Sequence, residues 1–201
     1  MSHEFVENQA VSRRRVIRRA AVAAGGALAA ASAVGAADRL HAQPSNEKDT
    51  KALNLLLLID RAEVAFYTAA LENAGLSGEL EEFAQTALGH EREHVSYLEG
   101  ALGSAAEDEP EYDFGESTSD VDAFARSAAK LEDIAVGAYN GQATNVSPGA
   151  FLAAARIVSV EARHAAWIRS IRDGDPAPNA VDTAYDEARV RRELRELGVP
   201  A

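Results

Sequence analysis

The chain has 201 residues, of which 47% are hydrophobic and 6% aromatic, and its formal net charge is −12. That length suffices for one domain with a proper core plus appendages, and the acidic balance argues against nucleic acid and anionic membrane surfaces as partners. Because the chain has no cysteine, disulfides, thiolate metal sites and cysteine nucleophiles are excluded. Abundant alanine and leucine with few aromatics favour helices over strands.

Residues 1–42 differ from the rest because they contain a basic cluster followed by an apolar run of small residues over 20–37. This layout predicts a secretory signal and linker. The cluster Ser12-Arg13-Arg14-Arg15-Val16-Ile17 resembles a twin-arginine signal, which implies export of a folded protein to the periplasm, the cell surface or the medium. The alternative is an uncleaved membrane anchor, although so short an alanine-rich run is marginal for a span.

Residues 46–174 predict a bundle of four helices, because apolar side chains recur there at helical spacing. The predicted helices run over 49–74, from Ser77-Gly78 to about Gly103, from a start at Ser119 with Asp122, and from Ser147-Pro148 to about Gly174. Short connections make each consecutive pair an antiparallel hairpin. No segment predicts a strand, so the expected fold class is all-α.

The connection between the two hairpins, residues 104–118, is polar and broken by Pro110 and Gly115. A loop of this length can run the full length of the bundle as a single long crossover. Residues 175–201 predict a linker and then a short helix over 182–197. We expect this helix to cap the bundle or to contact a neighbouring molecule.

Each apolar stripe is interrupted near the middle of its helix by side chains that are costly to bury. They are Glu63, Glu91 with His94, Glu132, and Glu161 with His164. Each half of the bundle thus has a glutamate followed, about 28 residues later, by Glu-x-x-His, and the helical rise places all of them at one level. Two divalent cations would cancel the four carboxylate charges, and mixed oxygen and nitrogen ligands suit iron or manganese.

The pentapeptide HEREH, residues 90–94, also matches the zinc hydrolase motif, with His90 and His94 as ligands and Glu91 as general base. That interpretation has no strand to align a peptide and leaves the other buried acids without a purpose. The second half repeats Glu-x-x-His but has Val160 where His90 stands. We therefore expect His90 beside the ligands rather than among them.

The four glutamates and the two histidines of the Glu-x-x-His pairs together resemble the ligands of ferritin-like di-iron carboxylate proteins. The resemblance covers about residues 49–173. The resemblance implies a ferritin-like four-helix bundle with two iron or manganese ions. It implies that Glu91 and Glu161 bridge the ions, and that Glu63 and Glu132 each cap one. The interval between the first two ligand helices is shorter than in storage ferritins, and the chain lacks a cysteine-based electron-transfer segment.

The resemblance leaves the activity open. It implies a reaction with O2 or peroxide of the ferroxidase, peroxidase or catalase type. The alternative is a non-enzymatic bundle for metal binding or for protection under desiccation and other stress, as some exported relatives suggest. A homo-oligomer is also left open, and contact with a membrane is expected only through an uncleaved signal.

Two tyrosines follow predicted ligands at helical spacing. Tyr67 comes one turn after Glu63, and Tyr139 two turns after Glu132. They are either packing aromatics or hydrogen-bond donors to the ligand carboxylates.

Overall fold

The computed structural model describes residues 44–201, and the regular secondary structure of that part of the chain is all helical. The bundle consists of α1 (Glu47–Asn73), α2 (Gly78–Leu102), α3 (Val121–Gln142) and α4 (Pro148–Ile171), and a short α5 (Glu187–Arg195) follows. The predicted all-α class with a four-helix bundle and a short C-terminal helix is confirmed. The predicted export signal, residues 1–42, lies outside the described residues. Across 44–201, no helix has the length and apolar character needed to cross a membrane.

Polar side chains and a proline mark the helix starts. Asn46 caps α1 by accepting hydrogen bonds from the backbone N–H groups of Lys48 and Asp49. The predicted start of α3 at Ser119 is wrong by one residue, because the side chain of Asp120 accepts from Ala123 N at 2.8 Å. A carboxylate is the better cap there, because the positive end of the helix dipole also stabilises its negative charge.

The start of α4 lies at Pro148, where the sequence predicts it, and proline suits the first helical position because its missing N–H would be unpaired anyway. Ser147 precedes it but makes no capping hydrogen bond through its side chain. Its backbone N–H instead donates to Asp49 Oδ1 at 2.7 Å. That bond joins the start of α4 to the first turn of α1, so it ties the two hairpins together at one end of the bundle.

The crossover between the hairpins, residues 103–120, follows α1 along its length. It includes two 3-10 turns, Gly103–Ala105 and Gly115–Thr118. Near the start of α1, the side chain of Asn54 donates to Ala105 O and accepts from Glu107 N, both at 2.9 Å. Further along, Phe114 packs edge-on against Phe66 with 5.3 Å between ring centroids. The connection therefore runs the length of the bundle, as the sequence predicts.

The C-terminal segment packs along α3. Tyr185 N donates to Gly137 O at 2.8 Å, and the approach is so close that a Cβ on Gly141 would lie 1.8 Å from Tyr185 O. Val190 and Leu194 of α5 are fully buried. The helix predicted over 182–197 is shorter than expected, because Asp186 caps its start by accepting from Arg189 N. The segment thus becomes part of the same compact unit as the bundle.

Aromatic side chains fill one end of the bundle interior. The Phe66 and Phe124 rings stack at 5.3 Å, and Tyr67 meets Phe83 edge to face at 5.7 Å. All four rings have an exposed fraction of at most 1%. Such packing excludes water from the space between the helices, which makes any charge buried beside it costly unless it is compensated.

Candidate metal centre

The four helices of the bundle bring all six predicted residues into one buried cluster. They are Glu63 on α1, Glu91 and His94 on α2, Glu132 on α3, and Glu161 and His164 on α4. The four glutamates are fully buried, and the two histidines are only 8% and 3% exposed. Residues three apart share one helix face, so each Glu-x-x-His pair points into the bundle together.

Two glutamates lie between the two imidazoles. Glu91 places Oε2 at 2.9 Å from Nδ1 of His94 and Oε1 at 3.1 Å from Nδ1 of His164. Glu161 does the same from the opposite helix, with Oε1 at 2.9 Å from His94 and Oε2 at 3.6 Å from His164. Each of these carboxylates therefore has one oxygen toward each histidine, so both could serve two cations bound side by side.

The remaining two glutamates occupy less symmetrical positions. Glu132 Oε2 lies 3.5 Å from His164 Nδ1, and its other oxygen accepts a hydrogen bond from the hydroxyl of Tyr67. Glu63 has ligand oxygens within 4.8 Å of those of Glu132 and Glu161. The structure thus places Glu132 beside one imidazole, whereas Glu63 groups with carboxylates only.

Sequence reasoning did not find a seventh polar residue in the cluster, Asp60. Its side chain is fully buried on α1, one turn before Glu63, and its ligand oxygen lies within 4.8 Å of those of Glu91 and His94. The Tyr139 hydroxyl donates to Asp60 Oδ2 at 2.7 Å, so Tyr139 contacts Asp60 rather than one of the six. The available signal was an acid within the apolar run LLLLIDRAEV, on the same face as Glu63.

The two tyrosine contacts also orient the helices. Tyr67 of α1 meets Glu132 of α3, and Asp60, earlier on α1, meets Tyr139, later on α3. Because the order of the contacts reverses, α1 and α3 run in opposite directions. Each of these two helices thereby supplies a hydroxyl to a carboxylate on the other.

His90, the residue behind the zinc interpretation, lies on the solvent side of the cluster. Its ring stacks on that of His164 at 5.1 Å between centroids with 9° between planes, and its Nδ1 is 2.8 Å from His164 Nε2. Since Nδ1 of His164 faces the carboxylates, Nε2 is the nitrogen left to donate to His90. His90 therefore contacts a member of the cluster and not the carboxylates, as expected.

Burial disfavours the charged form of Glu63 and of Asp60. It raises the pKa of Glu63 well above its ordinary value, and the neighbouring Glu91 and Glu132 raise it further. It likewise raises the pKa of Asp60, to which the charges of Glu161 and Glu91 add. An acid in such a position is unfavourable as an anion unless positive charge is placed beside it.

The two buried imidazoles respond in the opposite direction. Burial alone lowers the pKa of His94, but the contacts to Glu161 and Glu91 outweigh it and raise the pKa to about 11. For His164 burial is again outweighed, here by Glu132, Glu161 and Glu91, and the pKa rises to about 12. The cluster therefore attracts positive charge strongly, whether as protons or as cations.

Several of the buried oxygens make no hydrogen bond within residues 44–201. Both oxygens of Glu63 and Oδ1 of Asp60 are among them. Both oxygens of Glu161, Glu91 Oε1 and Glu132 Oε2 face only an imidazole Nδ1, at 2.9–3.6 Å. Buried polar atoms are normally paired, and a carboxylate without donors is among the costliest exceptions. Oxygen-rich donors with two imidazole nitrogens are ligands that iron and manganese accept. The residues present therefore fit a pair of such cations.

The comparison with protein families agrees with this arrangement. The profile of a family described as ferritin-like domain matches residues 48–173, from the first turn of α1 to just past α4. The chain belongs to this ferritin-like domain family. A comparison with curated proteins finds no match. The ferritin-like domain contains every residue of the cluster and ends before α5, which packs on it from outside the matched region.

Proposed function

We propose that this is an exported ferritin-like protein that binds two metal ions, iron or manganese, and reacts with O2 or peroxide. Glu63, Glu91, His94, Glu132, Glu161 and His164 would hold the ions. Export rests on the twin-arginine-like segment near Ser12-Arg13-Arg14, since that pathway carries folded proteins and so allows metal loading beforehand.

The observation that supports the metal centre best is the position of Glu91 and Glu161 between the imidazoles. Each carboxylate has one oxygen on the His94 side and the other on the His164 side. A cluster held together by hydrogen bonds alone would pair its oxygens with donors, yet both oxygens of Glu63 are buried without a hydrogen bond. Cations satisfy such oxygens and compensate their charge.

When bound, a pair of Fe(II) ions supplies two electrons to O2 or peroxide. The residues of the chain would orient the ligands and exclude water. Tyr67 holds one oxygen of Glu132 through its hydroxyl, which leaves the other oxygen facing His164. The packed rings of Phe66, Phe83 and Phe124 exclude water from that end of the centre. His90 is exposed and contacts His164, so it lies between that imidazole and the solvent.

The test is aerobic addition of Fe(II) to the purified full-length protein, with oxidation followed optically and bound metal measured after gel filtration. We expect two ions per chain and oxidation faster than in protein-free buffer. Oxidation no faster than in buffer, with two ions bound, would favour the non-enzymatic metal-binding or stress-protective alternative. Fewer than one ion per chain after reconstitution would refute the two-metal centre.

The chain offers a matched control within HEREH. In the double variant Glu91→Gln, Glu161→Gln, both shared carboxylates become amides of the same shape, and we expect loss of both ions with helical content retained. Glu93→Gln removes a carboxylate two residues from Glu91, but Glu93 is exposed. We expect this control to bind two ions like the wild type, so any loss in it would point to a general charge effect instead.

A further inference from the structure

Asp60 is the one buried carboxylate of the cluster to which the Glu and Glu-x-x-His pattern assigns no role. It lies on α1 one turn before Glu63, and its side chain has no exposure to solvent. The second half of the chain has Ala129 at the equivalent position before Glu132. Asp60 therefore makes the cluster asymmetric, because one side has a carboxyl group that the other side lacks.

The environment of Asp60 differs between its two oxygens. Oδ2 accepts a hydrogen bond from the Tyr139 hydroxyl at 2.7 Å, whereas Oδ1 is buried without a hydrogen bond. One carboxylate oxygen of Asp60 lies within 4.8 Å of ligand atoms of both Glu91 and His94. Tyr139 thus holds Oδ2, and Oδ1 has no hydrogen bond within residues 44–201 that would compete with a cation.

Glu63, one turn later on the same helix, has different neighbours. Its oxygens group with those of Glu132 and Glu161. The trio of Asp60, Glu91 and His94 provides two carboxylates and one imidazole. Glu161 adds a third carboxylate, because its Oε1 lies 2.9 Å from His94 Nδ1. A divalent cation takes such mixed ligands readily.

We propose that Asp60 is a seventh protein ligand of the centre, which holds a cation together with Glu91 and His94 on the side of the first hairpin. Tyr139 positions it by binding its second oxygen. This inference rests on the proposed two-metal centre and assigns the carboxylate that completes one of its two positions. It makes the two positions chemically different, since the one near His164 has no equivalent of Asp60.

The test uses Co(II), whose visible absorption reports coordination, added to the full-length wild type and to Asp60→Asn. Asparagine keeps the size of the side chain and an acceptor for Tyr139 but removes the charge. We expect one of the two Co(II) ions to bind at least about 10–100-fold more weakly. Loss of a metal ligand should cost no less affinity than loss of a residue that hydrogen-bonds to a ligand. The absorption of that ion should also change in position or intensity.

Stability distinguishes a ligand from a structural hydrogen-bond acceptor. Without metal, Asp60→Asn should unfold at the same urea concentration as the wild type or a higher one, because the variant no longer buries a carboxylate oxygen without a partner. With Co(II), the order should reverse. The matched control is Asp49→Asn, another buried aspartate on α1, whose oxygens both accept hydrogen bonds. It should lower stability without metal and leave both Co(II) affinities unchanged.

Tyr139→Phe provides a second variant. It leaves the Asp60 charge in place and removes only the hydroxyl that holds Oδ2, so its effect on the same ion should be smaller than that of Asp60→Asn. If Asp60→Asn binds two Co(II) ions with unchanged affinity and absorption, the inference is overturned while the two-metal centre stands. If Asp60→Asn behaves like Asp49→Asn, Asp60 is a structural acceptor and the inference is again overturned. A wild type that binds no Co(II) overturns both.

Discussion

The rings of His90 and His164 stack with 9° between their planes, and His90 Nδ1 lies 2.8 Å from His164 Nε2. His164 turns its other nitrogen, Nδ1, toward Glu91 and Glu132. A hydrogen bond from Nε2 to His90 would hold the imidazole in the tautomer whose Nδ1 can bind a cation. In the proposed metal centre, His90 would therefore act through His164.

His90→Phe tests this role, because phenylalanine keeps a ring that can stack but offers no acceptor. We expect metal affinity at one position to fall by about 10–100-fold, as is typical when the partner of a ligand histidine is lost. The unfolding midpoint of the metal-free protein should also fall, because Nε2 of the buried His164 loses its hydrogen-bond partner. Titration calorimetry with Co(II) measures the affinity, and Arg92→Ala, exposed on the same turn, is the control. Equal affinity in His90→Phe and the wild type would rule out the orienting role.

Tyr67→Phe removes the hydroxyl that donates to Glu132. We expect the free energy of unfolding of the metal-free protein to fall by about 1–3 kcal/mol, because a buried carboxylate oxygen loses its only donor. Metal affinity should fall as well, by about 10–100-fold, because Glu132 is no longer held in one orientation. Urea denaturation and Co(II) titration provide the two measurements. Unchanged affinity would show that Tyr67 packs against Phe83 without orienting the carboxylate.

Asp49→Asn tests the bond between the hairpins. Burial works against the charged form of Asp49, but hydrogen bonds from Ser45 and Ser147 outweigh it and hold the pKa below the ordinary value of 3.8. At neutral pH we expect the variant to lose about 1–3 kcal/mol of unfolding free energy, as is typical for a hydrogen bond to a charged group.

The loss in Asp49→Asn should depend on pH with a definite sign. A carboxyl group whose pKa is lowered on folding contributes stability above its unfolded pKa, and the contribution disappears as pH falls through the folded value. The difference between the wild type and the variant should therefore be full above about pH 4 and should shrink below it. Urea unfolding curves over this range measure it. A difference that stays constant to low pH would mean that the charge of Asp49 is not responsible.

Gly141→Ala tests the contact between α3 and the C-terminal segment. The new Cβ would lie 1.8 Å from the carbonyl oxygen of Tyr185, a backbone atom that moves only if the segment moves. We expect a loss of about 1–3 kcal/mol in unfolding free energy, the usual cost of overpacking. Gly89→Ala is the control, because its Cβ would meet nothing within 4 Å and alanine favours a helix by about 0.5–1 kcal/mol. If both variants gain stability in urea denaturation, the segment does not pack on α3 as described.

Local patterns predicted most of the fold. Helical spacing of apolar residues, together with Pro148 and the polar break around Pro110 and Gly115, located the four helices and the long connection to within a few residues. The sequence pattern does not fix the helix ends, since Asp120 rather than Ser119 caps α3 and Asp186 shortens the last helix. Capping depends on which side chain actually reaches a free backbone N–H, and adjacent candidates have similar sequence patterns.

The level at which Glu63, Glu91, Glu132 and Glu161 meet also followed from the chain alone. The height of each glutamate along its helix follows from the rise per residue and from the interval between the motifs, and both are properties of local sequence. The repeat further indicated, through Val160, that His90 has no counterpart in the second half. The spacing of residues along a helix does not depend on how the helices are rotated against one another.

Contacts between helices required the folded structure. Asp60 and Glu63 are one turn apart on α1, yet Asp60 groups with Glu91 and His94, whereas Glu63 groups with Glu132 and Glu161. Likewise Tyr139 reaches Asp60 rather than one of the six predicted ligands. The rotation and offset of each helix about its axis decide which side chains touch, and these follow from the packing of the whole core, from Phe66 and Phe124 to the glycines beneath Tyr185.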